Sequence, residues 1–125
     1  MNRFKKVKSG IKDKKTKLIW AYMSHKKMGY NEAITYCKEL NHNGKSDWRL
    51  PSVSELQSIL DYTQSEPAIP NKLKVFNEVV SYYYWSSTTY VNTTNNAWFV
   101  YLNNGYVYHD SKGNNYYVWP VRDGK

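Results

Sequence analysis

The apolar positions of this chain fall into two helical stripes and a series of short alternating runs. Residues 17–22, KLIWAY, alternate, with Leu18 and Trp20 on one face, so a strand is predicted there. It is expected to pair with the far C-terminus. The period then changes. Ala33, Ile34, Cys37 and Leu40 recur at helical spacing, which predicts a helix with Asn31 as N-cap and Asn43-Gly44 as its stop. A second helix is predicted directly after Pro51. Ser52 and Glu55 make an S-x-x-E capping box there, and Val53, Leu56, Ile59 and Leu60 form the buried stripe. Residues 64–70 read as a turn-rich connection, and 72–80 are ambiguous between a short helix and irregular structure. Beyond them, strands are predicted at 83–86, 97–102, 106–109 and 116–121, with Asn103-Asn104-Gly105 as a hairpin turn. In the second of these, Trp98, Val100 and Leu102 share one face, and Phe99 and Tyr101 share the other.

Composition narrows the class. At 125 residues the chain is long enough for one core, and residues 1–125 are read as a single domain. Five Trp and 13 Tyr make much of that core aromatic and leave rings for the surface. The formal charge of +8 is unevenly placed: residues 1–27 hold ten Lys/Arg against Asp13 alone (+9), leaving eight against nine acids (−1) in the remainder. The first 16 or so residues are therefore expected to form a basic, solvated, partly disordered arm. Lys5, Lys6, Lys8, Lys12, Lys14 and Lys15 of that arm are its candidate polyanion contacts, acting through a salt-sensitive field. No apolar run approaches the roughly 20 residues needed to cross a bilayer, and the charged start lacks an apolar h-region, so no secretory signal is read. Cys37 is the only cysteine, which excludes an intrachain disulfide and leaves the redox compartment unread.

Several pieces in order carry a resemblance. Asp13, Thr16, Leu18 and Trp20 make a D-x-x-T-x-L-x-W string, followed by an A-x-x-Y-C helix and by DWRLP with Glu55-Leu56. A Pro-Ala-Ile turn, YWSS, AW-x-V, NG-x-V and a closing V-x-P-V-R complete the series. Nearly end to end, the chain resembles the Lcl C-terminal (DUF1566) domain family of bacteria and phages. The resemblance implies an α+β, C-type-lectin-like fold, with two helices packed on short antiparallel strands and a loop-rich C-terminal half. It also implies that the Trp98 face is buried and that Asp47, Trp48 and Arg49 belong to the scaffold. Pro120 stands where relatives carry a second Cys, so Cys37 reads as a buried small hydrophobe. Trp119 stands where relatives usually place Arg.

Catalytic chemistry is hard to assemble. His25, His42 and His109 are dispersed, without metal-ligand spacing, and Ser86-Ser87 lacks a nucleophile elbow. No phosphate-cradling glycine loop occurs. Glu66-Pro67 is followed by Ala68, which offers no side-chain oxygen to the calcium site of related lectins, and a single thiol rules out the formylglycine-generating chemistry of a related fold. The expectation is a protein that is not an enzyme and uses no metal or cofactor. Seven Asn between residues 92 and 115, interleaved with Tyr, have the composition of adaptable recognition loops, although Asn103, Asn104 and Asn114 read equally as turn formers. In relatives diversified by retroelements the variable positions lie on such a C-terminal face. The candidate ligand-binding residues are Tyr90, Asn92, Asn95, Asn96, Tyr101, Asn103, Tyr106, Tyr108, Asp110, Lys112, Asn114 and Tyr116. The expected partner is a surface glycan, sulfated or not, or a host or bacterial surface protein, in a cell-surface, extracellular or phage-borne setting. A homo-oligomer is compatible with this reading. The rivals are polyanion binding by the basic arm and a structural role in an assembly. Nucleic acid is disfavoured, because Lys112 is the only basic residue among the C-terminal aromatics between Tyr82 and Trp119.

Overall fold

A computed structural model describes residues 3–22, 25–71 and 79–124. Residues 72–78, within the ambiguous segment, lie outside the described residues. In chain order the elements are β1 (Phe4–Val7), β2 (Gly10–Asp13), β3 (Leu18–Ala21), β4 (Lys26–Met28), α1 (Tyr30–Glu39), α2 (Val53–Gln57), β5 (Tyr83–Thr89), β6 (Asn96–Tyr101), β7 (Tyr106–Ser111), β8 (Tyr116–Val118) and β9 (Val121–Asp123). The strands form a four-stranded sheet, β1-β2-β3-β9, and a five-stranded sheet, β4-β8-β5-β6-β7. All pairings are antiparallel except that of β5 with β8.

This overturns the expected two-helix, α+β, C-type-lectin-like arrangement: the domain is mostly β, and α2 is a five-residue turn of helix. The C-terminal half is strand-rich rather than loop-rich, and the N-terminal "arm" is a β-hairpin. Its anchors are two apolar side chains. Phe4 and Ile11 are buried in the main core, whereas Lys5 is exposed. Lysine therefore fills the solvent side of a strand, and the charge count conceals it. Gly10 makes the hairpin's docking feasible, because a Cβ there would lie 2.1 Å from the Trp20 carbonyl oxygen.

Other boundaries moved for local reasons. Helix α1 starts two residues earlier than expected, with Gly29 rather than Asn31 as N-cap, and the Glu32 carboxylate reaches back to the Gly29 N–H at 3.4 Å. Tyr30 is drawn into the first turn because its ring packs edge-on against Trp85 at 5.7 Å and its hydroxyl donates to the Ser87 carbonyl. The helix ends at Glu39, before Asn43-Gly44, which instead close a turn between His42 and Lys45 with positive φ at both residues. The Ser52/Glu55 capping box forms as the sequence indicates. The run 116–121 is not one strand. Trp119-Pro120 breaks it, so that β8 joins one sheet and β9 the other, where β9 pairs with β3 as expected.

Two cores result. Ile11, Leu18 and Trp20 of the four-stranded sheet, Leu56 and Ile59 at α2, and Tyr84, Val100 and Leu102 of the five-stranded sheet form the first. Ala33 and Cys37 of α1 cover the opposite face of the five-stranded sheet, meeting Trp85, Ala97, Phe99 and Tyr116. The five-stranded sheet is thus covered on both faces. Hence Val100 and Leu102 are buried as expected, but Trp98 is only half-buried and Phe99, on the other face, is buried too. Trp119 is buried, donates its indole N–H to the Ala21 carbonyl, and tilts against Trp20 and His25.

Arginines stitch this frame. Arg3 grips fully buried Asp13 with two bonds of 2.7 and 2.6 Å, Arg49 holds Glu55 and Asp123, and Arg122 holds Asp47. Asp47 and Arg49 therefore serve as scaffold, with Trp48 buried between them and its N–H bonded to the Lys45 carbonyl. Burial pushes the Asp13 carboxyl up, but the Arg3 guanidinium and the Lys15 N–H outweigh it and hold the group below the usual carboxylate range.

Candidate functional site

Strand β7 is one outer strand of its sheet, β4 being the other, and the β6–β7 register decides which side chains share a face. Tyr101 pairs with Tyr106, Phe99 with Tyr108 and Ala97 with Asp110, whereas Trp98 pairs with His109 and Val100 with Val107. The candidate residues therefore divide between two faces.

On the α1 side, Tyr106 (54 % exposed) and Tyr108 (49 %) stand two residues apart, with ring centroids 6.0 Å apart and planes tilted by 32°. The row continues inward. Tyr101 meets Tyr83 at 4.7 Å and Tyr82 at 6.1 Å, and Tyr82 stacks on Tyr83 at 4.5 Å. Tyr62 lies over the hairpin turn, where Gly105 has φ +84 and a Cβ would stand 2.5 Å from the Tyr62 ring. Tyr116, on this same side, is buried at 8 % and belongs to the core; as a surface contact it is corrected. Its hydroxyl donates to the Asp110 carboxylate and holds that group below the usual range, while burial and that carboxylate push the Tyr116 hydroxyl up.

On the other face, Tyr90 and His109 stack at 3.7 Å with planes 7° apart, both edge-on to Trp98 at 5.4 Å. Asn96 pairs its side chain with the His109 ring at 3.1 Å, and Asn92 donates to the Tyr90 hydroxyl at 3.4 Å. Asn95 is exposed, and its carbonyl accepts the Lys112 N–H. The Lys112 ammonium sits 4.6 Å from the centre of the Tyr30 ring. Asn103 works in the scaffold, donating to Ser81 and accepting the Glu66 N–H, and Asn114 lies exposed in the β7–β8 turn. Sequence reasoning missed Tyr82, Tyr83, Trp98 and His109. The Trp98/His109 pairing follows from the Asn103–Gly105 turn once the hairpin is written out residue by residue.

The candidate polyanion residues form a separate region. Lys5 and Lys12 face each other across β1 and β2, Lys6 lies over the Tyr22 ring at 5.5 Å, and Lys8, Lys14 and Lys15 occupy the adjoining turns. Lys12 also donates to the Gly124 carbonyl at 3.3 Å. Lys5, Lys8, Lys14 and Lys15 have no carboxylate partner among the described residues.

No group of three or more His, Cys, Asp or Glu side chains that could hold a metal occurs among the described residues. Two surface grooves, of about 320 and 300 Å³, lie away from β7: one is lined by Thr16, Leu18, Ser54, Glu55, Ser58 and Asp123, the other by Ile34, Lys38, Trp48, Arg49, Leu50 and Ser87. No helix among the described residues is long and apolar enough to cross a membrane.

Fold and site together define a two-sheet domain that carries a row of exposed tyrosines on an outer strand. Residues 9–122 match the Lcl C-terminal domain family, and the chain belongs to it. No curated protein matches the chain.

Proposed function

We propose that this domain is a non-catalytic recognition module that binds a surface glycan or protein through the β6–β7 face. The observation that carries the reading is the row Tyr101–Tyr106–Tyr108, two of whose rings are about half exposed on an outer strand. Rings held on a sheet offer contact area at low entropic cost, and their hydroxyls and the nearby Asn side chains supply hydrogen bonds of either sense. Removing rings this exposed leaves the fold in place, so ligand binding can be tested directly. Tyr106→Ala/Tyr108→Ala is expected to melt within a few degrees of the parent and to lose its ligand on a mixed glycan and surface-protein array. Undiminished binding by the double variant would remove this reading.

A second reading rests on the lysines of the β1–β2 hairpin and its adjoining turns, of which Lys5, Lys8, Lys14 and Lys15 have no carboxylate partner among the described residues. They suit a polyanion such as a sulfated polysaccharide, bound with a steep salt dependence. Lys5→Gln/Lys12→Gln should then flatten that dependence, and an unchanged slope would exclude the hairpin.

A further inference from the structure

We infer that the ligand of the tyrosine row is an uncharged, linear polysaccharide, whose successive pyranose rings lie on Tyr106 and Tyr108 along β7. The inference rests on the recognition reading above and narrows it through the charge around the row. From Asn95 to Tyr116 the only side chains with a full charge at neutral pH are Asp110 and Lys112. The two are opposite in sign, so the stretch carries no net charge: Asp110 accepts the Tyr116 hydroxyl and the Ser111 N–H, and the Lys112 ammonium rests on the Tyr30 ring. A sulfate, phosphate or uronate laid on this strand would meet the Asp110 carboxylate as well as the single cation Lys112, with no net attraction. The lysines of the β1–β2 hairpin belong to the other sheet, and Lys26 and Lys27 lie on β4, at the opposite edge of this one from β7.

Geometry favours a sugar over a peptide. The ends of the strand have their N–H groups occupied by local side chains, Tyr106 by Asn104 Oδ1 at 3.0 Å and Ser111 by Asp110 Oδ1 at 2.8 Å, which lowers the gain from adding a peptide strand. Neither groove described above includes a β7 residue that could receive an anchoring side chain of a protein partner. What is offered is a pair of half-exposed rings, their planes tilted by 32°, with hydroxyls at their rims. A pyranose presents an apolar face of C–H groups and a rim of hydroxyls, and one sugar per ring matches the 6.0 Å separation of the two tyrosines.

The test is calorimetric titration of the whole chain with cello-, xylo-, manno- and chito-oligosaccharides and, in a separate arm, with heparin, at low and high salt. At least one neutral oligosaccharide should bind with an affinity that salt leaves unchanged. Tyr106→Ala and Tyr108→Ala should each weaken it by about three- to tenfold, and Tyr106→Phe/Tyr108→Phe should retain most of it. Binding to none of the neutral ligands, to heparin alone, or to a neutral ligand equally in the alanine variants would overturn the inference. If a surface protein is bound instead and lost in the same double variant, the recognition reading survives and the polysaccharide does not. If no ligand responds to the double variant, both fall.

Discussion

The four-stranded and five-stranded sheets use opposite means to present a surface. In the first, Arg3, Arg49 and Arg122 take up Asp13, Glu55, Asp123 and Asp47, and Lys5 of β1 and Lys8 of the turn after it are left facing water. In the second, the two charges near the outer strand are tied to rings or hydroxyls, and tyrosines face water instead. The hairpin surface has a long-range field and few rings; the β7 face has rings and no net charge, with Lys26 and Lys27 set apart on β4. Ligand chemistry should divide along the same line, and salt is the variable that separates the two.

The sharpest way to break the comparison is at the two glycines on which the sheets depend. Gly10→Ala would drive a methyl group into the Trp20 backbone, and neither strand can retreat without losing its ladder. A loss of about 3 kcal/mol, at the upper end for an overpacked site, is expected in urea unfolding. A cost under about 1 kcal/mol would mean that the N-terminal hairpin is docked only loosely.

The junction between the sheets provides the next effect. His25, between β3 and β4, bonds Tyr84 Oη at 2.6 Å through Nδ1, rests on Trp119, and leaves Nε2 buried without a partner. Burial pulls its pKa from 6.5 down to about 3. Because the folded value is depressed, the unfolded chain binds the extra proton between those limits. The stability that neutral His25 provides is complete above about pH 6.5 and declines as pH falls toward 3. The slope is about 1.4 kcal/mol per pH unit, giving about 2 kcal/mol lost by pH 5. The depressed carboxyls Asp13, Asp47, Glu55 and Asp110 act in the same direction, but only nearer and below their ordinary range. His25→Gln should therefore flatten the profile between pH 5 and 6.5 alone, as read by chemical denaturation at each pH; a parallel profile would dismiss the buried histidine as its source.

On the five-stranded sheet the corresponding glycine is more forgiving. Gly105→Ala forces a residue with a Cβ into φ +84 and pushes on Tyr62, but that ring is exposed and can swing away. About 1–2 kcal/mol is expected, mostly backbone strain. Tyr62→Ala in the same background should recover little of it, and full recovery would make the clash rather than φ the cause.

Much of this frame was legible in the chain. The capping box after Pro51, the pairing of the Leu18–Ala21 strand with the C-terminus, and the Asn-Asn-Gly hairpin are local or symmetric signals, and they formed. The N-terminal hairpin was not legible, because FKKV and GIKD each offer only four residues, and lysines on their solvent side look the same as a solvated tail. The break at Trp119-Pro120 was hidden for a different reason. Apolar alternation runs straight through it, and only the presence of a second sheet requires the strand to divide. In the candidate site, choosing exposed residues by type placed Tyr116 on the surface, whereas its register partner Met28 and the α1 side chains bury it. Parity within a strand tells which residues share a face; it cannot tell which face a distant helix covers.

The smallest effect concerns the lysine pair itself. Lys5 and Lys12 sit directly opposite each other, a like-charge cross-strand arrangement that costs stability. Lys5→Glu replaces it with an attractive pair, and Lys12 remains within reach because its ammonium already extends along the sheet to the Gly124 carbonyl. The variant should be more stable by about 0.5 kcal/mol at low salt, with the gain fading as salt screens the pair. If it also binds a polyanion less well, the hairpin has traded stability for its positive field, as expected of a surface under functional demand. If stability rises and no ligand is affected, the lysines keep the outer strand β1 from pairing with other chains. The two outcomes separate a binding face from a protected edge, a distinction that the tyrosine row on β7 cannot make because its rings carry no field to screen.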